Sequence, residues 1–258
     1  MQQHPIVSEA EWLTARRELL AKEKELTRLR DQLSAERRAL PWVRVEKRYM
    51  FQAPEGQISL AELFHGRSQL IVKHFMFGPD WDQGCVGCSF GADHLDGALV
   101  HLEHHDVTYV AISRAPLDKI MAFKRRMGWH FDWVSSFGSD FNYDFQASFT
   151  PEQLAAGTAF YNFAMQPVNC DEMTGMSVFY KDASGDVFHT YSQYARAGEM
   201  FLGTYHFLDI TPKGRDETTN GNLTDWVRHH DRYEAAGHVA PTGRYVEDDA
   251  DSCCHAKS

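Results

Sequence analysis

No stretch of this chain approaches the roughly 20 consecutive apolar residues that carry a helix through a bilayer. Positive charge is also short: 26 Lys and Arg stand against 36 Asp and Glu, a formal net charge of −10. A phosphate backbone would be repelled by that balance, which excludes nucleic acid as a general partner. Cysteine is sparse and odd in number, five in 258 residues. Only one close pair falls where the chain reads as folded, whereas a disulfide-stapled secreted domain would carry a denser, even set. The start, Met1-Gln2-Gln3-His4-Pro5, lacks the basic-then-apolar order of an export signal. The expected compartment is therefore the cytoplasm. What is present is ordinary globular composition, 43% hydrophobic and 24% charged, on a chain long enough to bury a substantial core.

The most informative segment runs from residue 70 to residue 104. Leu70-Ile71-Val72-Lys73-His74-Phe75-Met76-Phe77 is rich in β-branched and aromatic residues and reads as a buried strand. Gly78-Pro79-Asp80-Trp81-Asp82-Gln83-Gly84 breaks it, and Cys85-Val86-Gly87-Cys88 follows. Phe90, Leu95, Leu99 and Leu102 then recur at helical spacing, predicting one helix to His104. A Cys-x-x-Cys pair opening a helix after a strand is a redox arrangement. Amides at a helix start favour the thiolate, the reactive form, so Cys85 is expected to be the exposed nucleophile and Cys88 the resolving thiol. Asp80 and Asp82 would oppose ionisation if they faced the sulfur.

Around this motif the chain divides into three parts. Residues 1–41 predict a helical arm: Ser8-Glu9-Ala10-Glu11 is a capping box and Pro41 marks the end. Trp12, Leu19, Leu26, Leu33 and Leu40 recur every seven residues, but Lys22 and Glu36 interrupt the companion stripe of a coiled coil. The arm is expected to lie on its own domain or on a second copy, so a homodimer through the arm is one expectation. Residues 42–235 read as an α/β domain with the order strand, helix, strand, helix, strand, the last near 131–135. An aromatic insertion over about 137–176 carries a predicted helix at 151–164, opened by the cap Thr150-Pro151-Glu152-Gln153. Two short strands, 176–181 and 186–191, flank the turn Asp182-Ala183-Ser184-Gly185, and a last helix is predicted at 224–233. Residues 236–258 read as a flexible acidic tail.

Several blocks resemble a known bacterial family: the arm through WVRVEKRYMF, then QLIVKHFMFGPDW, CVGCSF, HLDGALVHL, VTYVAISRAPLDKIMAFKRRMGW, FNYDFQASFTPEQ and WVRHHDRYE. The likeness spans about residues 8–235, to a thioredoxin-like family catalogued as domain of unknown function 899. The resemblance implies a thioredoxin-like fold related to the peroxiredoxin group, a three-layer core with a mixed central sheet. It brings no established activity and points to Cys85 and Cys88 as the reactive pair. The motif departs from ordinary thioredoxins: glycine precedes Cys85, Trp81 lies four residues earlier, and the inner dipeptide is Val86-Gly87. Peroxiredoxins carry an Arg near the reactive thiol, and Arg114 with Trp81 is a candidate wall of the substrate pocket.

The leading expectation is thiol–disulfide exchange on a protein or small thiol, with peroxide reduction as a variant and no cofactor. A second reading is a Zn or Cu module in which Cys85 and Cys88 combine with His74, His94 or His206, since thiolates and imidazoles suit either ion. A third is a non-catalytic scaffold that binds another protein. Cys170 reads as a lone loop or buried thiol, and Cys253-Cys254 as adjacent cysteines in the tail.

Overall fold

Ser8 caps the first helix, α1 (Glu9–Arg38): its hydroxyl accepts the Glu11 amide at 3.3 Å while the Glu11 carboxylate takes the Ser8 amide at 2.9 Å. The capping box read from sequence is thus formed, and the helix stops at Ala39 ahead of Pro41. The computed structural model describes residues 4–217 and 225–247. It comprises two compact units, residues 1–42 and 43–258, each with its own contacts. No residue of α1 is buried, and Trp12, Leu19, Leu26 and Leu33 are all exposed.

The second unit opens with β1 (Val43–Arg44), the hairpin β2 (Met50–Ala53) and β3 (Gly56–Ser59), and β4 (Gln69–His74). The expected single helix after the cysteines is two: α2 (Val86–Ala92) and α3 (Asp96–His104). Between them the Asp93 carboxylate receives the Trp129 indole N–H at 2.8 Å, a tertiary bond that holds the break. Then come β5 (Val107–Ser113), α4 (Leu117–Met127) and β6 (Asp132–Ser135). Ile120, Phe123 and Met127 form the buried stripe of α4, and Gly128 closes it at φ +66.

The insertion contains α5 (Phe141–Asp144), α6 (Pro151–Ala156), β7 (Thr158–Tyr161) and β8 (Ala164–Pro167). The predicted helix at 151–164 therefore ends early. Gly157 terminates it at φ +68, and Asn162 and Phe163, both at positive φ, make the two-residue turn of a β-hairpin instead. β9 (Gly175–Lys181) and β10 (Val187–Tyr194) form the expected hairpin pair, followed by α7 (Gly203–Asp209). Residues 225–233 are not helical but a run of turns, with Val227 and His229 buried two apart as in an extended segment. Beyond Gly237, the expected tail forms β11 (His238–Val239) and β12 (Tyr245–Val246); Cys253 and Cys254 lie outside the described residues.

Among the described residues, eight strands make one mixed sheet in the order β1-β10-β9-β4-β5-β6-β2-β3. β4, β5 and β6 are parallel, and β9 lies antiparallel on the other side of β4. Alternation sorts the side chains. Leu70, Val72, Val110, Ile112 and Val134 pack on one face with Phe51, Phe64 and Phe141. Phe75, Phe77, Ala111 and Trp133 pack on the other with Ile120, Phe123 and both motif cysteines. A side chain such as Phe77, 0% exposed, contributes about 2 kcal/mol by leaving water. Among the described residues no helix is long and apolar enough to cross a membrane.

Candidate active site

The motif sits where β4 leaves the sheet. Cys85 N–H donates to Met76 O at 2.9 Å, folding the loop back onto its own strand. Lys119 Nζ on α4 donates to the carbonyls of Pro79 and Trp81 at 3.1 and 3.0 Å and pins the loop from the side. Gly84 is required by space. A Cβ there would come within 2.7 Å of the Phe75 ring and 2.8 Å of the Phe123 ring, so the bulky residue of ordinary thioredoxins has no room.

Both cysteines stand as free thiols and are buried, Cys85 at 5% and Cys88 at 4% exposure. The expectation of an exposed Cys85 meets a physical obstacle in residues 225–247, which cross the motif. Gly243 O accepts the Val86 amide at 2.9 Å, and a Cβ on Gly243 would lie 2.7 Å from Cys85 Sγ. His229 Nε2–H donates to Gly84 O at 2.9 Å.

The electrostatics of the pair are unequal. The Cys85 thiol is hydrogen-bonded to Cys88, and this together with burial pushes its pKa well up; the Gly87 and Cys88 amides pull the other way and lose. Cys88 is lowered, first by the proton offered from Cys85 and then by the charge of Lys73 and the Thr174 hydroxyl. Lys73 Nζ donates to Thr174 Oγ1 at 2.5 Å, and Thr174 Oγ1 lies 3.5 Å from Cys88 Sγ. The pair titrates as a unit, Cys85 held up and Cys88 brought down, with Lys73 and Thr174 placed to stabilise its first negative charge.

Lys73 and Thr174 escaped the sequence reading. Strand alternation offered a signal for the first, since Lys73 shares a face with Ile71 and Phe75 next to the motif. Thr174 comes close through the antiparallel register that pairs Lys73 with Met176, which spacing along the chain does not reveal.

The histidines proposed as metal ligands do not converge on the cysteines. His74 points to the opposite face of the sheet, stacked on Phe141 at 5.6 Å, with Nε2 bonded to Ser177 Oγ at 2.8 Å. Burial holds it neutral, its pKa near 3. His94 spends both nitrogens: Nδ1 donates to Phe90 O at 2.7 Å and Nε2 accepts the Thr204 amide at 3.0 Å. His206 is exposed and bonds Met200 O at 3.2 Å. Among the described residues no three His, Cys, Asp or Glu side chains form a group able to hold a metal ion, so this donor set does not fit Zn or Cu.

Arg114 and Trp81 are linked through Asp171 and Arg244. Arg114 donates to Glu172 at 2.5 Å, to Asp171 at 3.0 Å and to the Tyr143 hydroxyl. Arg244 lies 4.3 Å above the Trp81 ring and 3.9 Å from Asp171. Glu172 is 1% exposed, and burial raises its pKa to about 7 against the pull of Arg114 and Ser148. Arg114 is thus fully engaged by partners of its own. Cys170 is buried in the same apolar cluster as Trp81, Cys85 and Cys88, and burial raises its thiol pKa.

A parallel βαβαβ run, an antiparallel hairpin beside β4, and Cys-x-x-Cys at the first crossover make the fold thioredoxin-like. The family model described as "Bacterial protein of unknown function (DUF899)" matches residues 1–233, and the chain belongs to that family. No curated protein matches it. Among solved structures, it is similar to the Xanthomonas campestris bacterioferritin comigratory protein, at 12% identity and TM-score 0.40 over 60% of this chain and 88% of that one. A putative thiol:disulfide interchange protein DsbE from Chlorobium tepidum gives 10% identity and TM-score 0.40 over 64% and 94%. Peroxidoxin BcpB from Mycobacterium tuberculosis gives 14% and 0.35 over 64% and 95%.

Proposed function

We propose that this family member, with its thioredoxin-like fold, exchanges thiols and disulfides through Cys85 and Cys88. One observation carries the reading: two buried thiols open a helix just beyond the end of the central strand, with Cys88 Sγ 3.5 Å from a Thr174 hydroxyl that Lys73 holds at 2.5 Å. Cys85 attacks a disulfide of the partner while its proton passes to the Cys88 thiolate, so a mixed disulfide forms and one partner thiolate leaves. Cys88 then loses its proton, with Lys73 and the Thr174 hydroxyl stabilising the renewed thiolate. It attacks Cys85 Sγ, releasing the second partner thiolate and closing the Cys85–Cys88 disulfide. Two electrons pass from the pair to the partner, and the reverse sequence oxidises a dithiol. The sparse, odd cysteine set supports a reducing cytoplasm as the compartment.

The test is turnover of a model protein disulfide with a dithiol as terminal reductant. Cys85→Ser is expected to abolish turnover, and Cys88→Ser to accumulate the mixed disulfide, visible by mass spectrometry as an adduct on Cys85. Full turnover in the double Cys→Ser variant would refute the reading.

A further inference from the structure

The obstacle above Cys85 is built rather than incidental. Residues 225–247 are fastened to the motif at several points. His229 Nε2–H donates to Gly84 O at 2.9 Å, Arg126 forks onto Asp231 with both bonds at 2.8 Å, and His230 Nδ1 meets Asp93 at 2.8 Å. From there the chain turns through Gly243, whose φ of +85 suits glycine and whose missing side chain is what lets the backbone lie on Cys85 Sγ. Two residues later Tyr245 is buried with Val86, Phe90, Tyr205 and Val227, and its hydroxyl donates to Ala236 O at 2.9 Å. One backbone contact and one aromatic anchor thus bracket the sulfur.

Exchange at sulfur needs the attacking sulfur, the attacked sulfur and the leaving sulfur in line. That line cannot form while Gly243 occupies the space in front of Cys85. We propose that residues 238–246 are an autoinhibitory strap. An extended polypeptide carrying a disulfide reaches Cys85 by displacing the strap, taking over its carbonyl contact to the Val86 amide and its aromatic pocket. This rests on the exchange reading of Cys85 and adds the class of partner: a polypeptide segment rather than a small disulfide, because the strap itself is a polypeptide segment held by those two contacts.

The full-length reduced protein is treated with iodoacetamide at about pH 8, where a thiol freed from its buried site is partly ionised, and the rate at each cysteine is followed by peptide mass mapping. Gly243→Ala puts a methyl against Cys85 Sγ, and Tyr245→Ala removes the anchor. Each is expected to speed alkylation of Cys85 by about tenfold or more through local opening, while amide hydrogen exchange in the central strands β4 and β5 stays as slow as in the parent. A Cys85 rate within about twofold of the parent in both variants would overturn the strap. So would equally accelerated amide exchange in β4 and β5, since the whole fold and not the strap would then be opening. A peptide of residues 238–247 added to Tyr245→Ala is expected to slow Cys85 again; absence of protection overturns polypeptide docking. Alkylation needs only a reactive thiol, so loss of disulfide turnover alongside this pattern counts against exchange and leaves the strap standing.

Discussion

Cys85 and Cys88 are three residues apart and almost equally hidden, yet they are hidden by different things. Cys88 is enclosed by the core: β4 supplies Lys73, the approach to β9 supplies Thr174, and neither can move without disturbing the sheet. Cys85 is covered by a segment nearly 160 positions away in sequence, held by Gly243, His229 and Tyr245. Burial by the core tunes a group, because fixed charges and hydroxyls can be aimed at it. Burial by a strap gates a group, because the cover carries no share of the sheet's hydrogen bonds. The same fractional exposure therefore describes two opposite kinds of site.

The comparison breaks most sharply at Lys73. Lys73→Met keeps the aliphatic stem and removes the ammonium that donates to Thr174 and attracts the Cys88 thiolate. The pair's first ionisation is expected to rise by about one pKa unit, and exchange near neutral pH to fall by about tenfold. Titration of thiolate ultraviolet absorbance in the reduced protein reads the first quantity, and the pH profile of turnover reads the second. An unchanged thiolate titration would show that Lys73 does no more than satisfy Thr174.

Much of this was legible beforehand because it is local. The strand before the motif, the capping boxes at Ser8 and Thr150, and the turn ending in Gly185 are each written within a few residues. Errors arose where tertiary contacts overrule local pattern. The helix from Phe90 to His104 reads as continuous until Asp93 is needed by Trp129. The insertion reads as one helix because its apolar residues suit either period, although Gly157 and Asn162 were signs of a stop and a hairpin. The acidic end looked solvated, and only the fold shows that Gly243 and Tyr245 within it have a fixed place. Cys85 and Cys88 could be named from spacing. What stabilises the pair's charge could not, because Lys73 and Thr174 meet only once β4 and β9 pair.

Acid sharpens the comparison from the strap's side. His229 is buried and accepts from Arg126 through Nδ1 at 3.3 Å. Burial first, and the Arg126 charge with it, lower its pKa from 6.5 to about 4. His74, beneath the sheet, is lowered further, to about 3, chiefly by burial. Both are neutral when folded and protonated when unfolded between those values and 6.5, so the unfolded state binds more protons there. The two histidines' contribution to stability is therefore complete above pH 6.5 and is lost as pH falls, toward 4 for His229 and toward 3 for His74. The slope is at most about 1.4 kcal/mol per pH unit for each histidine. His229→Gln retains an N–H for Gly84 O without the titration. In urea unfolding at several pH values, that variant should lose the His229 share of the acid slope, at most about 1.4 kcal/mol per pH unit. An identical acid slope in parent and variant would show that His229 is not held neutral in the folded protein.

The smallest expected effect isolates the hydroxyl from the charge. Thr174→Val is nearly isosteric, and it leaves Lys73 in place while removing the one group that links its ammonium to Cys88 Sγ. A hydrogen bond to a charged acceptor contributes about 1.5–3 kcal/mol when well formed, but 3.5 Å is long and the Lys73 charge remains. The rise in the thiolate pKa should therefore be about half a unit or less, below that of Lys73→Met. Alkylation of Cys85 in the closed protein should not change, because the substitution leaves the Gly243 and Tyr245 contacts of the strap in place. A large acceleration at Cys85 in Thr174→Val would mean that the two sulfurs are not independently enclosed, and the distinction between the tuned side and the gated side would fail.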